Sequence, residues 1–561
     1  MKTRLLAILT LLFLLYFPVL TRAQNPAPPE IDRLVRQLMD SAGVPGLSLA
    51  LIRDGKPTYS QAYGLVKSDS TQKVSRSTIF EAASLSKPVF AFAVLQLVEE
   101  GRLDLDKPLA DYLPYPDVAS DERYRKITAR MVLSHRTGFP NWRGSRPLTV
   151  KNDPGTKFGY SGEGFVYLQK VVEKITGRPI NALMTERVFK PLGMARSSYL
   201  WRADFEPDFA RPHNQFGFPF TKGKPENANM AYSLQTTADD YARFLSEILN
   251  PTHLKQPTIQ AMLNPETRLP VRFNRDTTLS ESLFWGLGFG LEKTPAGDYF
   301  WHWGDNGTFR CFVAADRGRK NAVVYLTNSA GGLSFINELT TALIGGPHPA
   351  AGFLGYDSYR DPVGLFARRL QTGSVQEALN ALTGQPGKPA LDENHFFSIG
   401  NQFLEAGQFE KALEIFRYNA DTHPASANAR YGYGVALLLS GQREEAVRQV
   451  QKAVSMKPAV GKSTQILAGL DRLKQPAGGT RLVLKGFPDA RLVTLAGSFN
   501  GWDNLHTFFE KAGGEWVCHL DLKPGTYPYK IVVDGNWITD PGNLSTEKDD
   551  QGNVNSLLTV K

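Results

Sequence analysis

Between residues 407 and 458 the chain repeats itself: Gly407, Ala412 and Pro424 recur as Gly441, Ala446 and Pro458, each offset by 34. That period, with small residues inside helical patterns and a proline at the end, describes a helix–turn–helix unit. Small side chains let paired helices approach closely, and proline cannot continue a helix. Two units bury too little by themselves, so the helical patterns at 375–382 and 464–473 are expected to complete a stack. The middle of the chain, residues 361–474, therefore reads as an α-helical repeat segment with separate bodies on either side. A spacer and a groove for a protein or peptide partner both suit it, because one sequence does not show which residues line a groove.

At 561 residues the chain has room for about three to five domains. Hydrophobic residues make up 42%, and the 33 Phe, 20 Tyr and 8 Trp supply enough apolar volume for packed cores, which excludes disordered and collagen-like classes. The N-terminus carries Lys2 and Arg4, an apolar run from Leu5 to Leu20, and Thr21-Arg22-Ala23 before Gln24. This is the pattern of a secretory signal peptide over 1–23, cleaved after Ala23; the run is short for a membrane span of about 20 residues. The reading places the protein outside the cytoplasm, periplasmic or extracellular, with no membrane span after cleavage. Removing Lys2, Arg4 and Arg22 lowers the formal charge from +9 to +6, too weak and too dispersed for a nucleic-acid partner. Cys311 and Cys518 fall in different expected bodies, so stability rests on cores rather than disulfides.

A Pro-rich tether at 24–30 precedes a pattern in which Ile31, Leu34, Val35 and Leu38 recur at helical spacing. The run 47–52, the pair Asp54-Gly55 and the run 59–63 read as a hairpin, with further strands at 311–315 and 322–327. Between these ends the chain is mainly helical, which predicts a mixed α/β domain over 31–346: an antiparallel sheet flanked by helices, plus a helical region. The Gly- and Pro-rich stretch 347–360 reads as a linker, as does 475–479. Residues 480–561 alternate apolar and polar residues in short runs, as a small β-sandwich would.

Ser84 and Lys87 stand three residues apart, which on a helix puts hydroxyl and ammonium on one face. Pro88 marks a first helical turn, where its missing N–H is no loss. Ser84 would then sit at a helix N-terminus, where free N–H groups stabilise developing negative charge, and a buried neutral lysine could take its proton. Ser-x-x-Lys alone suits an N-cap serine beside a surface lysine equally well. The context is more specific. The run 80–114 closely resembles the serine β-lactamase-related family, the group of class C β-lactamases, DD-peptidases and esterases. Further family-like blocks follow in order: Leu133-Ser134-His135-Arg136-Thr137-Gly138, Tyr160-Ser161-Gly162, Pro191-Leu192-Gly193-Met194, Trp285-Gly286-Leu287-Gly288 and His302-Trp303-Gly304. The resemblance implies a penicillin-binding-protein-like serine hydrolase with no cofactor, and because no His/Cys/Asp/Glu cluster in the sequence has metal-ligand spacing, a metal-free mechanism is expected. In it Ser84 is acylated, Lys87 accepts its proton, and Tyr160 is general base and then leaving-group acid. Gly304 would leave room for substrate along the strand edging the site, and the N–H groups of Ser84 and Asp305 would form the oxyanion hole. His135 is expected to hold a loop.

Two positions depart from the family pattern. Gly162 stands where an asparagine often holds a substrate amide, and His302 replaces the lysine of a common Lys-Thr-Gly motif. A neutral histidine attracts a substrate carboxylate weakly. Both changes favour a small ester or amide substrate over β-lactams or D-Ala-D-Ala peptides. The alternatives are a true β-lactamase or D-Ala-D-Ala carboxypeptidase, and a catalytically silent scaffold binding glucan or protein. The 34-residue repeats resemble tetratricopeptide repeats. The tail, with 493–502, 529–537, Asp540-Pro541 and 553–555, resembles the glycogen-binding domain of the AMP-activated kinase β-subunit. That resemblance implies stacking of Trp502 and Trp537 on glucose rings, with Lys530 and Asn555 bonding hydroxyls of an α-glucan such as glycogen, starch or a maltooligosaccharide. Two core tryptophans in a purely structural appendage would satisfy the same pattern.

Overall fold

The computed structural model describes residues 26–144, 146–270, 281–382, 391–458, 460–473, 479–549 and 553–560. The expected signal segment 1–23 lies outside the described residues, as does the linker at 475–479 except for Gly479. The chain divides into two compact units, residues 1–360 and 361–561.

The first unit opens with helix α1 (Pro28–Ala42), three residues earlier than the tether reading places it, because proline fits the first helical position. Strands β1 (Gly46–Arg53) and β2 (Lys56–Gly64) form the expected hairpin. Its turn residues Asp54 and Gly55 have φ of 48° and 75°, the left-handed conformation a two-residue hairpin needs. Two short strands follow, β3 (Phe80–Glu81) and β4 (Gln235–Thr236), paired with each other. The remaining strands are β5 (Thr267–Arg268), β6 (Leu283–Trp285), β7 (Gly290–Thr294), β8 (Gly297–Asp305), β9 (Arg310–Asp316) and β10 (Asn321–Thr327). With the hairpin they build one antiparallel sheet in the order β2-β1-β10-β9-β8-β7-β6-β5, so strands from the two ends of the unit lie side by side.

Side chains alternate across β1, and both faces are covered. Leu47, Leu49 and Leu51 pack with Ile31, Val35 and Leu38 of α1, whereas Ala50 and Ile52 join the core that holds helix α2 (Ser86–Glu99). Residues Val89 to Leu95 and Leu97 of α2 are all buried, as expected of a helix enclosed on every side. Helices α3 (Gly162–Thr176) and α4 (Ala238–Leu249) pack in the same layer, and α5 (Ile336–Ile344) lies with α1 on the opposite face. The stretch 347–360 is not a loose connection. It forms helix α6 (Pro349–Leu354), whose Ala350, Phe353 and Leu354 are buried in the α1–α5 core, and Tyr356 donates to Asp305 at 2.6 Å. Gly and Pro marked its ends, but its apolar residues had a sheet face to cover.

In the second unit helices α7 (Pro362–Leu370), α8 (Val375–Asn380), α9 (Glu393–Glu405), α10 (Phe409–Thr422), α11 (Ala427–Leu439), α12 (Arg443–Met456) and α13 (Ser463–Arg472) form the stack. Ala412 and Ala446, the repeated small residues, are fully buried. The strand-rich part contains one sheet of β11 (Thr480–Leu484), β15 (Glu515–Leu520) and β14 (Glu510–Ala512). The other runs β13 (Thr507–Phe508), β12 (Val493–Gly497), β16 (Gly525–Val533), β19 (Val554–Val560) and β18 (Thr546–Lys548), with β17 (Asn536–Ile538) also paired to β16. Leu482, Leu495, Trp516, Tyr529 and Ile531 fill the space between the sheets. Leu492 and Phe508 instead pack with Val435, Val450, Ile466 and Leu470 of the helical stack. Cys311 and Cys518 are both buried and free. Among the described residues no helix is long and apolar enough to cross a membrane.

Candidate active site

Ser84 lies in a tight turn, Ala83–Leu85, between β3 and α2. Ala83 has φ 49°, a conformation that costs a residue with a Cβ of order 1–3 kcal/mol and persists only when the surroundings enforce it. They do so here. Ala82 N–H donates to Leu234 O at 2.8 Å, Ser86 Oγ donates to Ala83 O at 2.6 Å, and Tyr241 Oη donates to Leu85 O at 3.0 Å. Ser86 Oγ also accepts Leu234 N–H at 3.0 Å, so this buried hydroxyl is committed to backbone.

Lys87 follows one turn later on α2. Its Nζ donates to Ser84 Oγ at 2.9 Å and to Ala231 O at 2.8 Å, and the side chain is fully buried with no carboxylate among these partners. Burial drives its pKa well below the usual lysine range, which favours the neutral amine. The same nitrogen stands 4.8 Å from the centroid of the Tyr160 ring. Tyr160 precedes α3, whose N-cap is Ser161; Ser161 Oγ accepts Gly164 N–H at 3.0 Å and donates to Pro140 O at 2.8 Å. His135 is buried with its ring 4.2 Å from Tyr160, and its Nδ1 accepts Ser161 N–H at 3.1 Å, tying this loop to the site. Burial pushes the His135 pKa well below the usual range.

Strand β8 runs along the other side, and there two expectations change. His302 is fully buried, with Nδ1 2.7 Å from Trp303 O, and its pKa is pushed down to about 3, chiefly by burial. Its side chain lies inside the protein as a neutral ring rather than facing substrate from the strand. At Gly304 the space belongs to protein: an added Cβ would stand 2.3 Å from Ala82 O and 3.3 Å from Ala83 Cβ. The missing side chain lets β8 touch the backbone that enters the Ser84 turn. Asp305 follows, its carboxylate accepting from Tyr356 Oη at 2.6 Å and Gly307 N–H at 2.7 Å.

Sequence reasoning missed Glu81 and Lys222. Lys222 Nζ, inside the protein, donates to Glu81 Oε2 at 2.6 Å, and Asn306 Nδ2 donates to Glu81 Oε1. This joins the strand before Ser84 to the residue after Asp305. No local pattern marks the pair, because Lys222 lies in a loop 141 residues from its partner.

In the second unit Trp502 and Trp537 are 36% and 43% exposed, so neither is a core residue. Tyr529, Ile531 and Val533 point into the sandwich, which puts Lys530 and Val532 on the outer face; Trp537 is the cross-strand partner of Val532 and shares that face. Trp502 N–H donates to Gly497 O at 2.9 Å, one residue beyond Ala496, the cross-strand partner of Lys530. Asn555 does not join this exposed set. It is 2% exposed, its amide 3.5 Å from Asp549 Oδ2. Leu544, not singled out from the sequence, is 97% exposed in the loop after Asp540.

A helix-backed antiparallel sheet, with serine and lysine one turn apart where a buried helix begins, defines a β-lactamase and penicillin-binding-protein-like serine hydrolase fold. The chain belongs to the beta-lactamase family, which matches it over residues 31–344. Residues 403–459 match the tetratricopeptide repeat, and residues 482–561 match the glycogen recognition site of AMP-activated protein kinase. Among curated relatives, Protein flp of Staphylococcus aureus strain N315 is 24% identical over 262 residues, 43% of this chain and 52% of that protein. The chain thus spans about half the length of that relative. Penicillin-binding protein 4 of Amycolatopsis lactamdurans is 28% identical over 326 residues, 54% of this chain and 85% of that protein. Among solved structures, the octameric penicillin-binding protein homologue from Pyrococcus abyssi is 21% identical with a TM-score of 0.49, covering 62% of this chain and 82% of its own. The D-alanine carboxypeptidase AmpC from Burkholderia cenocepacia is 20% identical with a TM-score of 0.48, covering 56% and 98%.

Proposed function

We propose that this is an exported, metal-independent serine hydrolase that cleaves a small ester or amide through an acyl-enzyme on Ser84, and that it carries an α-glucan-binding module. The observation that carries the reading is the fully buried Lys87 amine 2.9 Å from Ser84 Oγ, with burial lowering its pKa. A neutral amine there can accept the hydroxyl proton as Oγ attacks the substrate carbonyl. The tetrahedral oxyanion would be met by the N–H groups of Ser84 and Asp305. As the bond to the leaving group breaks, Tyr160 gives that group its proton and regains one from the Lys87 ammonium. Water then attacks the acyl carbon along the reverse proton path, releasing the acid and restoring Ser84.

A penicillin- or D-peptide-directed reading is favoured by the similarity to Penicillin-binding protein 4 and disfavoured by Gly162 and the buried neutral His302. Glucan binding is supported by the match over 482–561 and by the exposure of both tryptophans, and export by the N-terminal sequence pattern. The test is intact-mass profiling of covalent adducts with fluorophosphonate, ester, penicillin and D-peptide panels, followed by peptide mapping. An ester-derived or fluorophosphonate adduct on Ser84 supports the reading. A folded protein that forms no adduct with any member would overturn it in favour of a silent scaffold.

A further inference from the structure

Gly162, where the family often has an asparagine, is not simply a vacant position. A Cβ placed there would stand 2.3, 2.5 and 2.7 Å from three atoms of the Trp142 indole, so the ring occupies the volume a side chain at 162 would need. The residues beside Trp142 are anchored to the start of α3. Gly162 N–H donates to Asn141 O at 3.1 Å and to Asn141 Oδ1 at 3.0 Å; Arg143 N–H donates to Glu163 Oε1 at 3.2 Å and its guanidinium pairs with Glu163 at 3.2 Å. Between these two clamps Trp142 is 42% exposed, which makes it a held aromatic surface. The edge-to-face partner of the indole is Tyr232, at 5.6 Å between centroids and 39% exposed. Tyr232 directly follows Ala231, whose carbonyl accepts Lys87 Nζ, and Gly162 lies two residues after Tyr160. The aromatic pair therefore links the residue after the Lys87 acceptor Ala231 to the turn that follows Tyr160.

We infer that Trp142, admitted by Gly162 and paired with Tyr232, is the specificity wall for the acyl group. It replaces a polar amide clamp with an apolar, flat surface that selects esters bearing an aryl or similarly planar apolar acyl group. This rests on the serine hydrolase reading above. Indole and phenol faces offer little to an amide but gain contact with a flat apolar group, and preferences of this kind are set by whichever groups the site leaves unpaired.

The experiment compares kcat/KM for p-nitrophenyl phenylacetate and p-nitrophenyl acetate in the full chain, with fluorophosphonate labelling of Ser84 and the melting temperature recorded for every variant. The wild-type ratio should favour phenylacetate. Trp142→Ala should lower that ratio about tenfold, and Trp142→Phe should retain most of it. Gly162→Ala, by displacing the indole, should lower the ratio similarly, yet add little in the Trp142→Ala background, because both changes remove one element. A ratio unmoved by Trp142→Ala in a folded variant whose Ser84 still labels would overturn the wall while leaving the hydrolase standing. So would fully multiplicative effects of the two changes. Absence of both ester turnover and Ser84 labelling in the wild type would overturn the two readings together.

Discussion

Gly304→Ala is the sharpest perturbation of the nucleophile, although the residue bears no functional group. An alanine Cβ at 304 would stand 2.3 Å from Ala82 O, and contacts of this type are not found below 3.0 Å, so strand and turn must separate by at least 0.7 Å. The obstacle is backbone, which cannot rotate away as a side-chain tip could. Gly304 is held against Cys311 of β9, so the displacement falls on the turn 82–84, which already holds Ala83 at φ 49°. Moving a nucleophile by about 1 Å costs on the order of a hundredfold in rate, about 2.7 kcal/mol of barrier. The overpacking should cost about 1–3 kcal/mol of stability. Steady-state kinetics on p-nitrophenyl acetate, with thermal melting as the control for folding, should show kcat reduced about a hundredfold and KM changed less. A folded Gly304→Ala protein with kcat within threefold of wild type would refute the reasoning, because the carbonyl would have yielded without moving Ser84.

Stability should fall in acid through His302. The ring is neutral in the folded protein down to about pH 3, whereas in the unfolded chain it takes up a proton below about 6.5. The unfolded state therefore holds one more proton in that window, and the contribution is fully present above pH 6.5 and lost progressively as pH drops toward 3. Melting curves from pH 7 to pH 4 should be less steep in pH for His302→Gln than for wild type; equal slopes would remove His302 as the source. Fluorophosphonate should label Ser84 and not Ser86, since Ser86 Oγ is buried and bonded to Ala83 O and Leu234 N–H; a mapped adduct on Ser86 would contradict the geometry. In the full chain, Trp537→Ala or Trp502→Ala should weaken retention on a glycogen affinity gel at least tenfold while shifting stability by less than about 0.5 kcal/mol, as exposed side chains do. A large drop in melting temperature would instead make them structural.

Features with a short sequence period were legible. Ser84 and Lys87 are one helical turn apart and do meet, the alternation at 47–52 does sort leucines to one face and Ala50 and Ile52 to the other, and the 34-residue offset does place buried alanines at equivalent points of the stack. What could not be read depends on distant partners. Glu81 finds Lys222, and β8 meets the Ser84 turn at Gly304, through topology that no local pattern encodes. Burial was the other blind spot. Asn555 lies on the outer face of its sheet yet is covered, His302 is enclosed, and residues 349–354 pack as a helix where composition pointed to a linker.

The same dependence on distant partners bears on the sandwich as a module. Phe508 pairs with Thr494, Thr494 with Val532, and Val532 with Trp537, so these four residues form one row on the outer face. At one end of the row Trp537 is exposed; at the other Phe508 is buried among Val435, Val450, Ile466 and Leu470 of the helical stack. Lys462 of the stack pairs at 2.9 Å with Asp503, the residue after Trp502, so the loop carrying that tryptophan is also tied to the helices. Cutting the chain near 479 would uncover Phe508 and Leu492, removing about 1.5–3 kcal/mol of burial for each, and would release the Asp503 contact. The helical stack therefore acts as more than a spacer: it closes one end of the tryptophan-bearing face and holds the Trp502 loop. Glucan affinity measured on residues 480–561 alone would reflect a face that has lost this support.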